Sequence, residues 1–168
     1  MTLSMYGASV PVLSSMLSAL SHVLTKAEAD ATTRKIDPSV LLNDRLAPDM
    51  FPLKKQVQVA TDFAKSITSR LAGTDIPAWP DSEESFAELQ ARIAKALEFI
   101  GSFTPGQIDG SEAKTITLQM RAGEMSFAGQ DYLLGFALPN FYFHVTTAYN
   151  ILRHNGVPLG KADFFGRG

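Results

Sequence analysis

Asn140, His144 and Thr147 stand four and three residues apart in a stretch that reads as a helix, "ALPNFYFHVTTAYNILRHNG" over 137–156. That spacing places them on one helix face. Their types suit chemistry: imidazole is the usual general base and metal ligand near neutral pH, and an amide and a hydroxyl can orient a ligand or a water. Two uses follow, a base steadied by its neighbours or a metal ligand. The plainer alternative is a core histidine bonded to a neighbouring helix, and one histidine alone is weak support for a metal site. The stripe Leu133, Ala137, Asn140, His144, Thr147 and Ile151 predicts an inward polar segment, which must find partners. Tyr149 is a further candidate for orienting ligand or water.

The other two histidines read differently. His154 lies about 15 Å along the axis from His144 and on another side of the helix. It falls in the last turn beside Arg153, where a cation meets the negative end of the dipole. His22, between Leu20 and Leu24, is a candidate third metal ligand and more simply an edge residue. In the second long helix Gln56 borders the inner stripe and can face His144. Asp62 reads as solvated or paired with Lys65 or Arg70, and Glu28, Asp30, Glu83 and Glu84 read as solvated charges. No glycine-rich phosphate loop, HExxH or GxSxG is present, and no pair of Glu-x-x-His motifs of the di-iron kind.

These residues need elements to hold them. Val10, Leu13, Leu17, Leu20, Leu24 and Ala27 alternate in threes and fours, the seam of a bundle helix running to about Ala31. Pro11 fits only near a first turn or at a kink. Asp37 before Pro38 caps a short turn over 38–44. Pro52 opens a second long helix through Leu53, Val57, Ala60, Ala64, Ile67 and Leu71, closed by Gly73. Asp81 and Glu84 suggest a capping box for a third, carrying Phe86, Leu89, Ile93, Ala96, Leu97 and Ile100. Trp79 packs across the bundle's end. Thr115, Thr117 and Gln119 alternate with Ile116, Leu118 and Met120, and a turn at 121–124 leads to a second strand over 125–128, a β-hairpin that must lie on the bundle. A last helix begins near 129–131 and stops at Asn155–Gly156, kinked or restarted at Pro139. The tail, with Phe164 and Phe165, folds back or meets a partner. The expected fold is all-α, a four-helix bundle with a small β-hairpin inserted before the last helix, as one domain over 1–168.

Composition is that of a soluble globular chain: 168 residues, 45% hydrophobic, 19% charged, net charge −2. Without a basic footprint a nucleic-acid partner is not expected. With no cysteine, disulfides, thiolate metal sites and a cysteine nucleophile are excluded. The N-terminal stretch has no basic residue before Lys26, so it does not read as a signal peptide. His22 and several serines break its apolar run short of a membrane span, and cytoplasm is the expected location.

"MYGASVPV", "LAPDMFPLKKQVQVATDFAK" and "PNFYFHVTTAYNILRHNGVPLGKADF", in this order of elements, resemble the DinB/YfiT-like metalloenzyme superfamily, in an uncharacterised bacterial branch of domain-of-unknown-function type. The resemblance covers nearly the whole chain. It implies a DinB-like four-helix bundle and, in typical members, a zinc or nickel ion on three histidines, one from the second helix and an HxxxH pair from the last. Here His144 matches the second of that pair, Asn140 stands at the first, and Gln56 falls near the third position. Amide oxygens bind zinc poorly beside imidazole. The expectation is therefore a pocket with a degenerate metal site, taking an unknown small molecule through His144, Gln56, Asn140, Thr147 and Tyr149. The resemblance also implies the alternatives: a metal-dependent thiol transferase or hydrolase with His144 as metal ligand, or a non-enzymatic protein forming a homodimer.

Overall fold

A computed structural model describes residues 3–120 and 123–167. Helix α1 (Met5–Arg34) is followed by the short α2 (Pro38–Asn43), α3 (Leu53–Ala72), α4 (Phe86–Gly101) and the single turn α5 (Pro105–Ile108). Strands β1 (Thr115–Met120) and β2 (Gly123–Ala128) come next. The chain re-enters helix through α6 (Gly129–Asp131), a π-helical turn (Tyr132–Ala137), α7 (Leu138–His154) and a short α8 (Lys161–Phe164). The four long helices pack as a bundle, α3 between α4 and α7, with α1 against α4 and, less extensively, α3 and α7. The expected all-α bundle with an inserted hairpin is the observed fold.

The seams are those the periodicity gives. Every residue of the predicted α1 stripe is buried, as is every one from α3. Each leucine or isoleucine so buried contributes roughly 1.5–3 kcal/mol by leaving water. An 18-residue window of α1 reaches a mean hydropathy of 1.3, enough by length and composition to cross a bilayer. That differs from the expectation of a broken run, and packing in the bundle accounts for it: half of the window is buried. Pro11 lies within α1 without ending it. Both Pro11 and Gly7, whose carbonyl loses its helical donor, are exposed, so water can replace the lost bond.

Two local expectations are corrected. The cap of α4 is Ser85, not Asp81: Ser85 Oγ accepts the Glu88 N–H at 3.2 Å, and Glu88 accepts from the Ser85 hydroxyl and the Glu84 N–H. Asp81 and Glu84 are instead engaged by Lys55, Arg92 and Lys54. Ile116 and Leu118 of β1 are buried, while Met120, at the strand's end, is exposed. β1 and β2 pair antiparallel from Thr115–Ala128 to Met120–Gly123; of the turn expected at 121–124, residues 121 and 122 lie outside the described residues. Phe127 seats the hairpin on Tyr132 and Phe136.

The tail folds back. Phe164 meets Tyr149 edge-on, and Asp163 lies against α1, accepting from Lys26 Nζ at 2.7 Å and contacting His22 Nε2 at 3.3 Å. The Lys26 hydrogen bond, with the Gly160 N–H behind it, holds the Asp163 carboxyl at about 2, far below the ordinary aspartate.

Candidate functional site

His144 and Gln56 meet. The imidazole Nδ1 lies 2.7 Å from Gln56 Oε1, while the Gln56 amide nitrogen donates to the Phe51 carbonyl at 3.0 Å. This chain of bonds has one consistent direction. An amide that gives its N–H to Phe51 can only accept with its oxygen, so Nδ1 carries a proton and the Nε2 lone pair is the open one in the neutral ring. Gln56 is buried and Phe63 stacks on the imidazole with centroids 5.8 Å apart. Burial lowers the His144 pKa and so favours the neutral base.

The rest of the expected polar stripe sits differently. The core side of the last helix is Leu133, Ala137, Phe141, Val145, Ala148, Ile151 and Leu152, with the expected Thr147 buried beside them. Asn140 and His144 lie at its border, half-buried. The cause is the π-turn. The Leu138 N–H reaches back five residues to the Leu133 carbonyl, which widens the turn, so a period set at Leu133 and Ala137 slips by nearly one position beyond it. The Asn140 amide donates to the Phe136 carbonyl at 2.7 Å, and the buried Thr147 hydroxyl donates to Phe143 at 2.7 Å. Neither bonds His144. Tyr149 lies against Phe164, and His22 is held in the Asp163 cluster on α1. The structure therefore brings Gln56 to His144, keeps Asn140 and Thr147 near by chain position, and leaves Tyr149 and His22 apart.

The donors do not fit the three-imidazole metal site that the resemblance implies. Gln56 and Asn140 present amides already committed to Phe51, His144 and Phe136, and no cluster of three His, Cys, Asp or Glu side chains forms among the described residues.

The hollow next to this pair is a cleft of about 320 Å³ between α3, β1 and the π-turn. Val59, Asp62, Phe63, Ser66 and Arg70 form one wall, Leu118, Gln119 and Met120 another, and Tyr132, Phe136 and Asn140 the third. His144 is behind Phe63 rather than in the lining. This hollow is an open cleft beside the bundle, not an enclosed interior cavity. Spacing could have revealed its α3 wall: Val59, Phe63, Ser66 and Arg70 recur at four, three and four residues on the face next to the core stripe. A second hollow is lined by Leu46, Met50, Tyr142, Phe143 and Thr147.

A second polar centre was not foreseen. Arg92 of α4 is buried, with its side chain 2% exposed, and bonds Thr61, the Pro80 carbonyl, Glu83 and Asp62, with Asp81 at 3.0 Å. Glu83 also accepts from Gln58 and is not a solvated helix-end charge. Asp62 pairs with Lys65 and Arg92, not Arg70. Trp79, half-buried, packs beside these groups, its ring 4.4 Å from Lys65 Nζ and 4.7 Å from Lys95 Nζ. The cluster fastens the 73–85 connector to α3 and α4.

Comparison with known proteins agrees with this architecture. A family profile described as Domain of unknown function (DUF1993) matches residues 5–165. The crystal structure of a DinB family member protein from Shewanella denitrificans is similar to the chain at 43% identity, with a TM-score of 0.88, covering 96% of this chain and 91% of that one. Among curated proteins none matches. The chain belongs to the DUF1993 family and has the fold of a DinB family member.

Proposed function

We propose that this DinB-like protein binds a small molecule in the cleft between α3, β1 and the π-turn, beside a degenerate metal site that no longer holds a metal tightly. The observation that supports it most is the make-up of the cleft. Aromatic rings from α3 and the π-turn line a concavity at the small end of the range for ligand sites, with a few convergent polar groups among them. Asn140 contributes its rim, and His144 steadies Phe63 from behind. A thermal-shift screen of small acids and thiols tests the reading. Hits should raise the melting temperature of the native chain and lose their effect in Phe63→Ala. Elemental analysis of protein purified without an affinity tag tests the metal part: stoichiometric zinc or nickel, lost in His144→Ala, would favour a metal-dependent transferase or hydrolase instead. The proposed location is the cytoplasm.

One observation favours a second reading, a structural protein that self-associates. Leu46 and Phe143, each at least 41% exposed, line the second hollow, and exposed apolar surface of this kind marks interfaces. Light scattering distinguishes it: a dimer disrupted by Phe143→Glu supports this reading, and a monomer at all concentrations removes it.

A further inference from the structure

The charges of the cleft do not cancel. Asp62 is neutralised by Lys65 at 2.8 Å and Arg92 at 3.1 Å. Arg70, at the other end of the α3 wall, has no carboxylate partner among the described residues. A bland role for an arginine in a last helical turn is to cap the terminal carbonyls. Here Lys114 bonds the Leu71 carbonyl at 3.2 Å and Gly73 closes the helix, so Arg70 is released from that task. Its Nη1 turns to the Tyr132 hydroxyl, 3.3 Å away, with the guanidinium 5.9 Å from the ring centroid. The hydroxyl accepts from Arg70, and its own proton has no acceptor among the described residues. Burial keeps that phenol protonated, raising its pKa against the pull of Arg70. Two donors, a planar cationic fork and a phenol O–H, thus stand side by side against an aromatic wall.

We propose that the cleft is a carboxylate site: Arg70 and Tyr132 bind the carboxylate of a small aromatic or otherwise apolar acid whose body lies against Phe63 and Phe136. The proposal rests on the cleft being a ligand site and adds the ligand's class. Guanidinium matches a carboxylate in geometry as well as charge. The apolar walls would leave a free inorganic anion poorly solvated, so an acid with an apolar body fits better than phosphate.

The test uses phenylacetate and its neutral amide, phenylacetamide, titrated into the native chain and followed by amide NMR. Phenylacetate should shift the resonances of Val59, Ser66 and Asn140 and bind at least about tenfold more tightly than the amide, the scale of a charge-assisted hydrogen bond. Arg70→Gln should erase that preference by weakening phenylacetate more than phenylacetamide. Tyr132→Phe should narrow it, and this variant carries the comparison if Arg70→Gln does not fold. Equal binding of acid and amide at the cleft, or a preference that survives these substitutions, overturns the carboxylate assignment and leaves the cleft as a ligand site. If neither probe moves a cleft resonance, the ligand-site reading falls too.

Discussion

His144 is held as a neutral base by two neighbours that do different things. Gln56 places a proton on Nδ1, and burial beside Phe63 disfavours a second one. Its titration midpoint, read by NMR, should lie below the ordinary value of about 6.5. The sign for stability follows. Below that value the unfolded chain takes up the proton before the folded one does, so the contribution of His144 is intact above about pH 6.5 and is lost as the pH falls through the lower folded pKa. Denaturant melts across this range should show the slope in the native chain and not in His144→Leu. Each of Gln56→Leu and His144→Leu leaves a partner without its bond and should cost about 1–3 kcal/mol, the double variant costing less than the sum. The pairing of these two positions was readable from the resemblance, because a second-helix residue was expected to face His144. Tyr149 was not placeable that way: its surroundings are made by Phe164, from a tail with no helical period to read.

The helices were legible because their seams are plain, and the last one was misphased at a single point. A period of 3.6 carried from Leu133 through Ala137 reaches Asn140, whereas the widened turn makes Phe141 the next core residue. No side-chain pattern advertises a π-turn, although Pro139, which could not donate within a regular helix, hinted at an irregularity. The entry to this helix is fixed more tightly. A Cβ at Gly129 would collide with the backbone carbonyl of Ser111, while one at Gly135, in the π-turn, meets nothing within 4 Å. Gly129→Ala should therefore destabilise by more than about 1 kcal/mol, because backbone must shift, and Gly135→Ala should stay within about 1 kcal/mol of the native chain in urea melts.

The whole molecule is tied by two charge clusters, at the connector before α4 and at the tail. Neither was visible in sequence, since their members are spread over distant elements and the charges looked like solvated ones. Arg92→Ala should cost about 1–3 kcal/mol by removing its bonds to Thr61, the Pro80 carbonyl and the partly buried Glu83. Arg92→Lys should recover little of this, since one ammonium cannot reach five partners. Asp163 acts on the same acid side as His144, at lower pH. With its carboxyl held at about 2 against an ordinary 3.8, its contribution is complete above about pH 4 and is lost as the pH falls toward 2. Hydrogen exchange at α8 should accelerate over that interval, and Asp163→Asn should show fast exchange already at neutral pH.

Helix α1 touches α2, α3, α4, α5, α7 and α8, nearly every helix that follows it in the chain. During synthesis it leaves the ribosome before any of them exists. For the time needed to make α3 and α4, the growing chain carries an unpaired helix as apolar as a membrane segment. At ordinary elongation rates that interval is several seconds, far longer than a helix takes to form. The bundle's spine is therefore also its most exposed surface at birth, and the stage at which a holding chaperone or a misdirected membrane insertion would compete with folding.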